Sequence, residues 1–308
     1  MKKLNHKNAL SATVSMLMTL TVCSSVSQAS DIDIYSNATG GKTTITLMLD
    51  TSGSMSESQV GGSACDLASG TSYTAGNEPS GTTPGYTKYF CAVNIPGSSS
   101  QQKRYDRLTR LKDAIFTLMD SNQIDSNSVA MGIGQFSSQS GSDNVYTSPD
   151  GKSGKIVVPA ALLSTTQRTA IKTAVANLRG SGGTPTANAY AEVAAYMLGT
   201  NTSTASNLGY SGFSKSVLGS KVGSSSTATN YQTPLSTTNT QCNGQGIYFL
   251  TDGEPNSSPA PVPLMQAALG ANGSSFSVPA TGTLPNGTQP NNGMPAVGEF
   301  AKALRNQK

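Results

Sequence analysis

The sequence has little charge, no tryptophan and a single histidine. Charged residues make up 12% of its 308 positions, and Ser, Thr, Asn and Gly fill the stretches between short apolar runs. Those runs suffice for a core, so the composition reads as a globular α/β chain with large polar insertions rather than a disordered one. The histidine, His6, lies among the first residues, ahead of an expected processing site. Beyond that site the absence of histidine excludes Ser-His-Asp and Cys-His catalysis and His-ligated metals. No two cysteines are spaced as CxxC, which argues against a zinc site. No P-loop is present either.

The first residues read as an export signal. Lys2, Lys3 and Lys7 precede an apolar stretch from about Ala9 to Val22, and Ser27 and Ala29 place small residues before a cut after Ala29. A membrane anchor and a lipoprotein signal at Leu20–Cys23 are the competing readings. The apolar run is short for spanning and is broken by Ser and Thr, which favours cleavage and leaves no transmembrane span in the mature chain. Loss of residues 1–29 removes three lysines and no acid, so the formal net charge falls from +4 to +1. No basic block remains for nucleic acid or an anionic membrane. Three cysteines persist, Cys65, Cys91 and Cys242. An oxidising compartment permits one bridge with one thiol over, and the spacing leaves the pairing open.

After a short N-terminal segment (30–42), the run from Thr44 to Leu49 is apolar on both faces, as a central strand covered on both sides requires. Amphipathic helices are expected from Arg104, from Ser164 (with Ser164 or Thr165 as cap) and from about Pro185 to Leu198. Strands are expected at Ser128–Phe136, at Lys155–Ala160, where Pro159 favours an edge position, and at Gly246–Leu250, which reads as another buried strand like Thr44–Leu49. Polar insertions are expected at about 55–103, 200–245 and 253–292, and a last helix starts near Ala296. Alternating strands and helices predict an α/β fold with a doubly wound, mostly parallel sheet, whose ligands sit at the carboxyl ends of the strands.

Three loops reach that edge. They are Asp50-Thr51-Ser52-Gly53-Ser54, Gly182-Gly183-Thr184-Pro185-Thr186 before a helix, and Thr251-Asp252-Gly253 after a strand. Together they offer two carboxylates (Asp50, Asp252) and three hydroxyls (Ser52, Ser54, Thr184). An all-oxygen set suits a hard cation, octahedral Mg²⁺ or Mn²⁺ first and Ca²⁺ as a further option.

DTSGSM, GGTPT and LTDGEPN, each in its structural context and in this order, resemble the von Willebrand factor A domain. The resemblance covers residues 43–308. It implies a metal-ion-dependent adhesion site in which Ser52, Ser54 and Thr184 contact the ion. Asp50 and Asp252 would bind it directly or through water, and one position is left for an acidic group of a partner. A narrower resemblance, in DIDIY, SGSM, GGTPTANAYAEVAAY and LTDGEPN, is to the N-terminal part of the PilC/PilY family of type IV pilus tip adhesins. It implies attachment and pilus assembly at the cell surface or in the periplasm, with pilus subunits or a host surface as partners. It also implies a chain that stops inside the A domain, before that family's β-propeller.

Cys65–Cys91 is the expected bridge, since Cys242 precedes the last strand and belongs at the opposite end of the sheet. Tyr86, Tyr89, Phe90 and Glu254, which flanks the third loop, are candidates for a ligand-facing surface, with packing of the insertion as the alternative for the aromatics and a turn role for Glu254. The function expected is a non-enzymatic, cation-dependent adhesion module. The alternatives are an assembly factor with little metal dependence and a metal-assisted hydrolase, the last lacking any evident general base.

Overall fold

Seven β-branched and apolar residues run from Thr43 to Leu49 and end in the buried Asp50, and in the computed structural model these eight form the strand about which everything else is arranged. The structure describes residues 42–56, 60–137, 152–205, 210–224, 226–235, 244–252, 255, 261–278 and 294–306. The expected signal at 1–29, the segment 30–41, Cys242 and Glu254 lie outside these. In chain order the elements are β1 (Thr43–Asp50), β2 (Thr74–Pro79), β3 (Thr87–Asn94), β4 (Gln101–Tyr105), α1 (Arg107–Asp120), β5 (Val129–Phe136), β6 (Gly154–Leu162), α2 (Thr165–Ala176), α3 (Thr186–Leu198), β7 (Gln245–Leu250), α4 (Pro261–Leu269) and α5 (Met294–Arg305).

The main sheet has the order β6-β5-β1-β7. β1 runs parallel to β5 and β7, and β6 joins β5 antiparallel at the edge, where Pro159 leaves no inner ladder bond unmade. Helices cover both faces. Met48, Phe136 and Ile156 meet α3, α4 and α5 on one side, while Leu47, Leu49 and Ile133 meet α1 and α2 on the other. Successive side chains of β1 therefore enter opposite cores, which is why the strand is apolar without alternation. The architecture is α/β with a mostly parallel sheet flanked by helices.

Register delivers the functional edge. Asp50 lies opposite Phe136 on one side, and Leu49 lies opposite Leu250 on the other, so the residues after β7 emerge beside those after β1. On the far face, the buried Lys112 of α1 donates to the carbonyls of Ala176 (3.1 Å) and Leu178 (2.8 Å). These are carbonyls at the end of α2 that lack helical partners, so one cation satisfies them and fixes where the next loop begins.

Five expectations are revised. The helix expected from Arg104 starts at Arg107, because Arg104 and Tyr105 pair with β3 and Asp106 caps α1, its Oδ1 accepting from Thr109 N at 2.7 Å. The insertion at 55–103 holds an antiparallel sheet, β2-β3-β4. The segment at 200–245 is not all surface, since Phe213 and Tyr231 are buried in the core. The insertion at 253–292 contains α4, with Leu264, Met265, Ala268 and Leu269 buried. β7 is not covered on both faces: it ends the sheet, and Tyr248 and Leu250 are exposed.

The cap of α2 is as expected: Ser164 Oγ accepts from Gln167 N at 3.2 Å. Ser164→Ala is expected to cost about 1 kcal/mol, read as a lowered urea midpoint at unchanged slope.

Candidate functional site

At the carboxyl edge the chain leaves β1 as a loop whose geometry its own side chains set. Asp50 is fully buried. Its Oδ1 accepts from Ser52 N at 2.7 Å, closing a turn over the carboxylate, and its Oδ2 accepts from Thr251 Oγ1 at 2.7 Å. Thr51 donates through its backbone N–H and its hydroxyl to Phe136 O, and Gln135 Nε2 donates to Thr51 Oγ1 at 3.0 Å. The loop is thereby tied to the neighbouring strand before it reaches the serines.

Backbone bonds join the first loop to the second. Gly53 N donates to Gly182 O and Ser181 N donates to Thr51 O, each at 2.9 Å. Two glycines make that approach possible. Gly182 has φ +74°, and a Cβ on Gly180 would lie 2.6 Å from Ser56 O. Thr184, buried, stands just before α3.

Side chains join the first loop to the third. Ser52 Oγ and Ser54 Oγ are 3.0 Å apart, and Ser54 Oγ donates to Asp252 Oδ1 at 2.9 Å. Asp50, Ser52, Ser54 and Asp252 thus lie in one hydrogen-bonded chain. Thr184 belongs to the loop stitched against it by backbone.

Burial raises the Asp50 pKa, opposed by the Ser52 and Thr251 hydrogen bonds and reinforced by the nearby Asp252 carboxylate. No cationic side chain among the described residues pairs with Asp50. A buried carboxylate beside a second one calls for positive charge, and a divalent ion at the edge would supply it. Among the described residues no three or more His, Cys, Asp or Glu come together. The donor set here is two carboxylates plus hydroxyls, the oxygen chemistry that Mg²⁺, Mn²⁺ or Ca²⁺ accepts with waters completing the shell. The residues present fit such an ion.

Arg107 is the residue that motif reading missed. Its Nη1 donates to Asp252 Oδ2 at 2.6 Å, while Nε donates to Asp66 Oδ1 at 2.9 Å. A local signal existed. Asp before an amphipathic run marks a helix cap, which puts Arg107 at the first helical position. A cation is disfavoured there by the helix dipole unless acids from elsewhere hold it.

The bridge between Cys65 and Cys91 is present, with Val60, Leu67 and Tyr89 packed around it. Of the aromatics expected either to face a ligand or to pack the insertion, Tyr86 and Phe90 make packing contacts. Tyr86 is buried against Phe116, with ring centroids 4.9 Å apart, and its hydroxyl bonds Asp113. Phe90 meets Tyr105 edge-on and lies under Lys103. No helix among the described residues is long and apolar enough to cross a membrane. Comparison of the chain with protein-family models, with curated proteins and with solved structures finds no match.

Proposed function

We propose that the chain is a divalent-cation-dependent binding module of the von Willebrand factor A type, with a doubly wound sheet. In this reading it is exported and serves attachment and assembly of a type IV pilus. One observation supports it above the others: three sequence-distant loops, each of the expected motif, meet at one sheet edge, the first and third sharing a hydrogen-bonded chain from Asp50 to Asp252 and the second joined to the first by backbone bonds. Ser52, Ser54 and Thr184 would hold the ion directly, with Asp50 and Asp252 balancing its charge. The bound ion supplies a positive anchor for a carboxylate of a protein or host-surface partner. The residues around it do the rest: Thr251 and the Ser52 N–H orient Asp50, and Gly53 and Gly182 hold the two loops together.

Titration of Mg²⁺, Mn²⁺ and Ca²⁺ into the full chain by calorimetry tests this. Saturating ion at a hundredfold above Kd is expected to stabilise the fold by about 2.7 kcal/mol, reversed by EDTA. Asp252→Ala is expected to abolish both the heat and the thermal shift. If EDTA and Asp252→Ala leave melting temperature and partner binding untouched, the reading fails, and a scaffold role in assembly takes its place.

A further inference from the structure

We propose that Arg107 is a positioning residue for the cation site, a positive charge built into the chain that competes with the ion for Asp252, and that Asp66 sets how strongly it competes. The inference rests on the cation-binding reading above. Its basis is a relay through three segments distant in sequence. The guanidinium of Arg107 reaches Asp252 Oδ2 with Nη1 (2.6 Å) and Asp66 Oδ1 with Nε (2.9 Å) and Nη2 (2.8 Å). Arg110 Nη2 takes the other oxygen of Asp66 at 2.5 Å. Asp66 follows Cys65, and Arg107 N donates to Ala64 O at 3.1 Å, so the disulfide-closed loop is fastened to the start of α1 at both backbone and side chain.

The charges define the competition. Asp66 and Asp252 pair with Arg107 and Arg110, and Asp50 lies near Asp252; these five groups carry one net negative charge, which a divalent ion turns into one net positive charge. An ion recruiting Asp252 must share its carboxylate with the guanidinium or displace it. Like charges close together weaken each other's binding even when partly solvated. Asp66 opposes this by holding the guanidinium through two of its nitrogens. Removing Asp66 leaves the guanidinium to Asp252, with Ser54 O at 3.4 Å as its remaining weaker acceptor. Cation binding and the placement of the disulfide loop are therefore linked, and each biases the other.

The test is calorimetric titration of Mn²⁺ into the full chain. Arg107→Gln is expected to bind about tenfold more tightly than wild type, a shift of about 1.4 kcal/mol. Asp66→Asn is expected to bind roughly threefold more weakly, and in the Arg107→Gln background to change affinity by less than about twofold, because its effect runs through Arg107. Arg107→Lys, which keeps the charge, is expected to return affinity to within about threefold of wild type. Asp66 and Arg107 are both partly exposed, and ion-free melting curves of each variant control for folding. Wild-type binding with no tightening in Arg107→Gln overturns the role of Arg107 and leaves the cation site standing. An equal loss from Asp66→Asn in both backgrounds also overturns it. Absence of binding in wild type and Arg107→Gln alike overturns the cation site and this inference together.

Discussion

Raising the pH from 4.5 to about 7 is expected to withdraw about 3 kcal/mol of stability through one residue, Glu192, and Glu192→Gln is expected to abolish that loss. Glu192 sits on α3 with no exposure worth the name, and burial lifts its pKa from 4.5 to about 7. The Tyr231 hydroxyl, the Gly212 N–H and Thr202 Oγ1 all donate to it, and Lys215 adds a favourable charge, but together they do not offset desolvation. The folded state therefore holds the proton more tightly than the unfolded chain. That contribution is complete below the unfolded pKa near 4.5, and it is lost as pH rises through about 7. Tyr231, pushed well above its ordinary range by burial and by Glu192, stays neutral throughout.

In Glu192→Gln the amide can occupy the protonated position toward Tyr231 while its oxygen still accepts from Gly212. The variant should resemble the low-pH wild type at every pH. Melting temperatures at pH 4.5, 6 and 8 should separate wild type from Glu192→Gln by roughly 6–12 °C at the highest pH and little at the lowest. A constant gap across the series would show that Glu192 is ionised throughout in the fold. Other titrating groups, Asp50 among them, shift both proteins alike, so the difference isolates Glu192. The same network ties α3 to the segment carrying Thr202, Gly212 and Tyr231, so the loss above pH 7 should appear first as protease sensitivity within 202–231.

Glu192 also shows where sequence reading stops. A glutamate in an alanine-rich helix looks solvated, because nothing within one turn marks its burial. Its partners lie 10, 20 and 39 residues away, in a stretch whose mean composition is polar. Two aromatic anchors, Phe213 and Tyr231, bring that stretch into the core, and an average over the segment conceals two residues. α4 is hidden differently: Pro261 and Pro263 read as breakers, yet both fall in its first turn, where missing N–H groups cost nothing. The run in β7 has the composition of a central strand, and an apolar run alone does not distinguish centre from edge. The strands of β2-β3-β4 carry Lys, Gln, Glu and Asn, and only their pairing makes them strands.

The candidate site was more legible because its chemistry is written locally. Hydroxyls spaced two apart after a strand, glycines before a helix, and an aspartate after a second strand each follow from one element's geometry. Parallel register then brings the first and third together, and backbone bonds seat the glycine loop against the first. Arg107 escaped because the ion pair that defines it spans 145 residues. Its only local mark was an unfavourable one, a cation at a helix start.

Removing the Cys65–Cys91 bridge in a Cys65→Ser/Cys91→Ser variant is expected to destabilise the insertion by about 3.5 kcal/mol, from the loop entropy of the 26 residues it spans. The insertion's other ties to the fold include the buried Tyr86 ring and the polar bonds of Ala64, Asp66 and Lys88 to α1. Among the described residues, Val60, Leu67 and Tyr89 are the hydrophobic side chains packed around the two sulfurs, and β2-β3-β4 is a small sheet whose outer strands β2 and β4 are mostly exposed. Two regions should respond unequally. The main sheet loses only Tyr86 from the core under α1 and keeps the other core intact, so its own unfolding should move less. Residues 60–94 should open ahead of it, seen as rapid amide exchange on β2 and β3 and early chymotryptic cleavage near Tyr73 and Tyr89 in the variant alone. A single cooperative transition lowered for all regions together would show instead that the insertion is integral to the main core. If it opens separately, Asp66 leaves Arg107 with it. The variant should then bind Mn²⁺ as weakly as Asp66→Asn does, through a bond broken a full loop away from the ion.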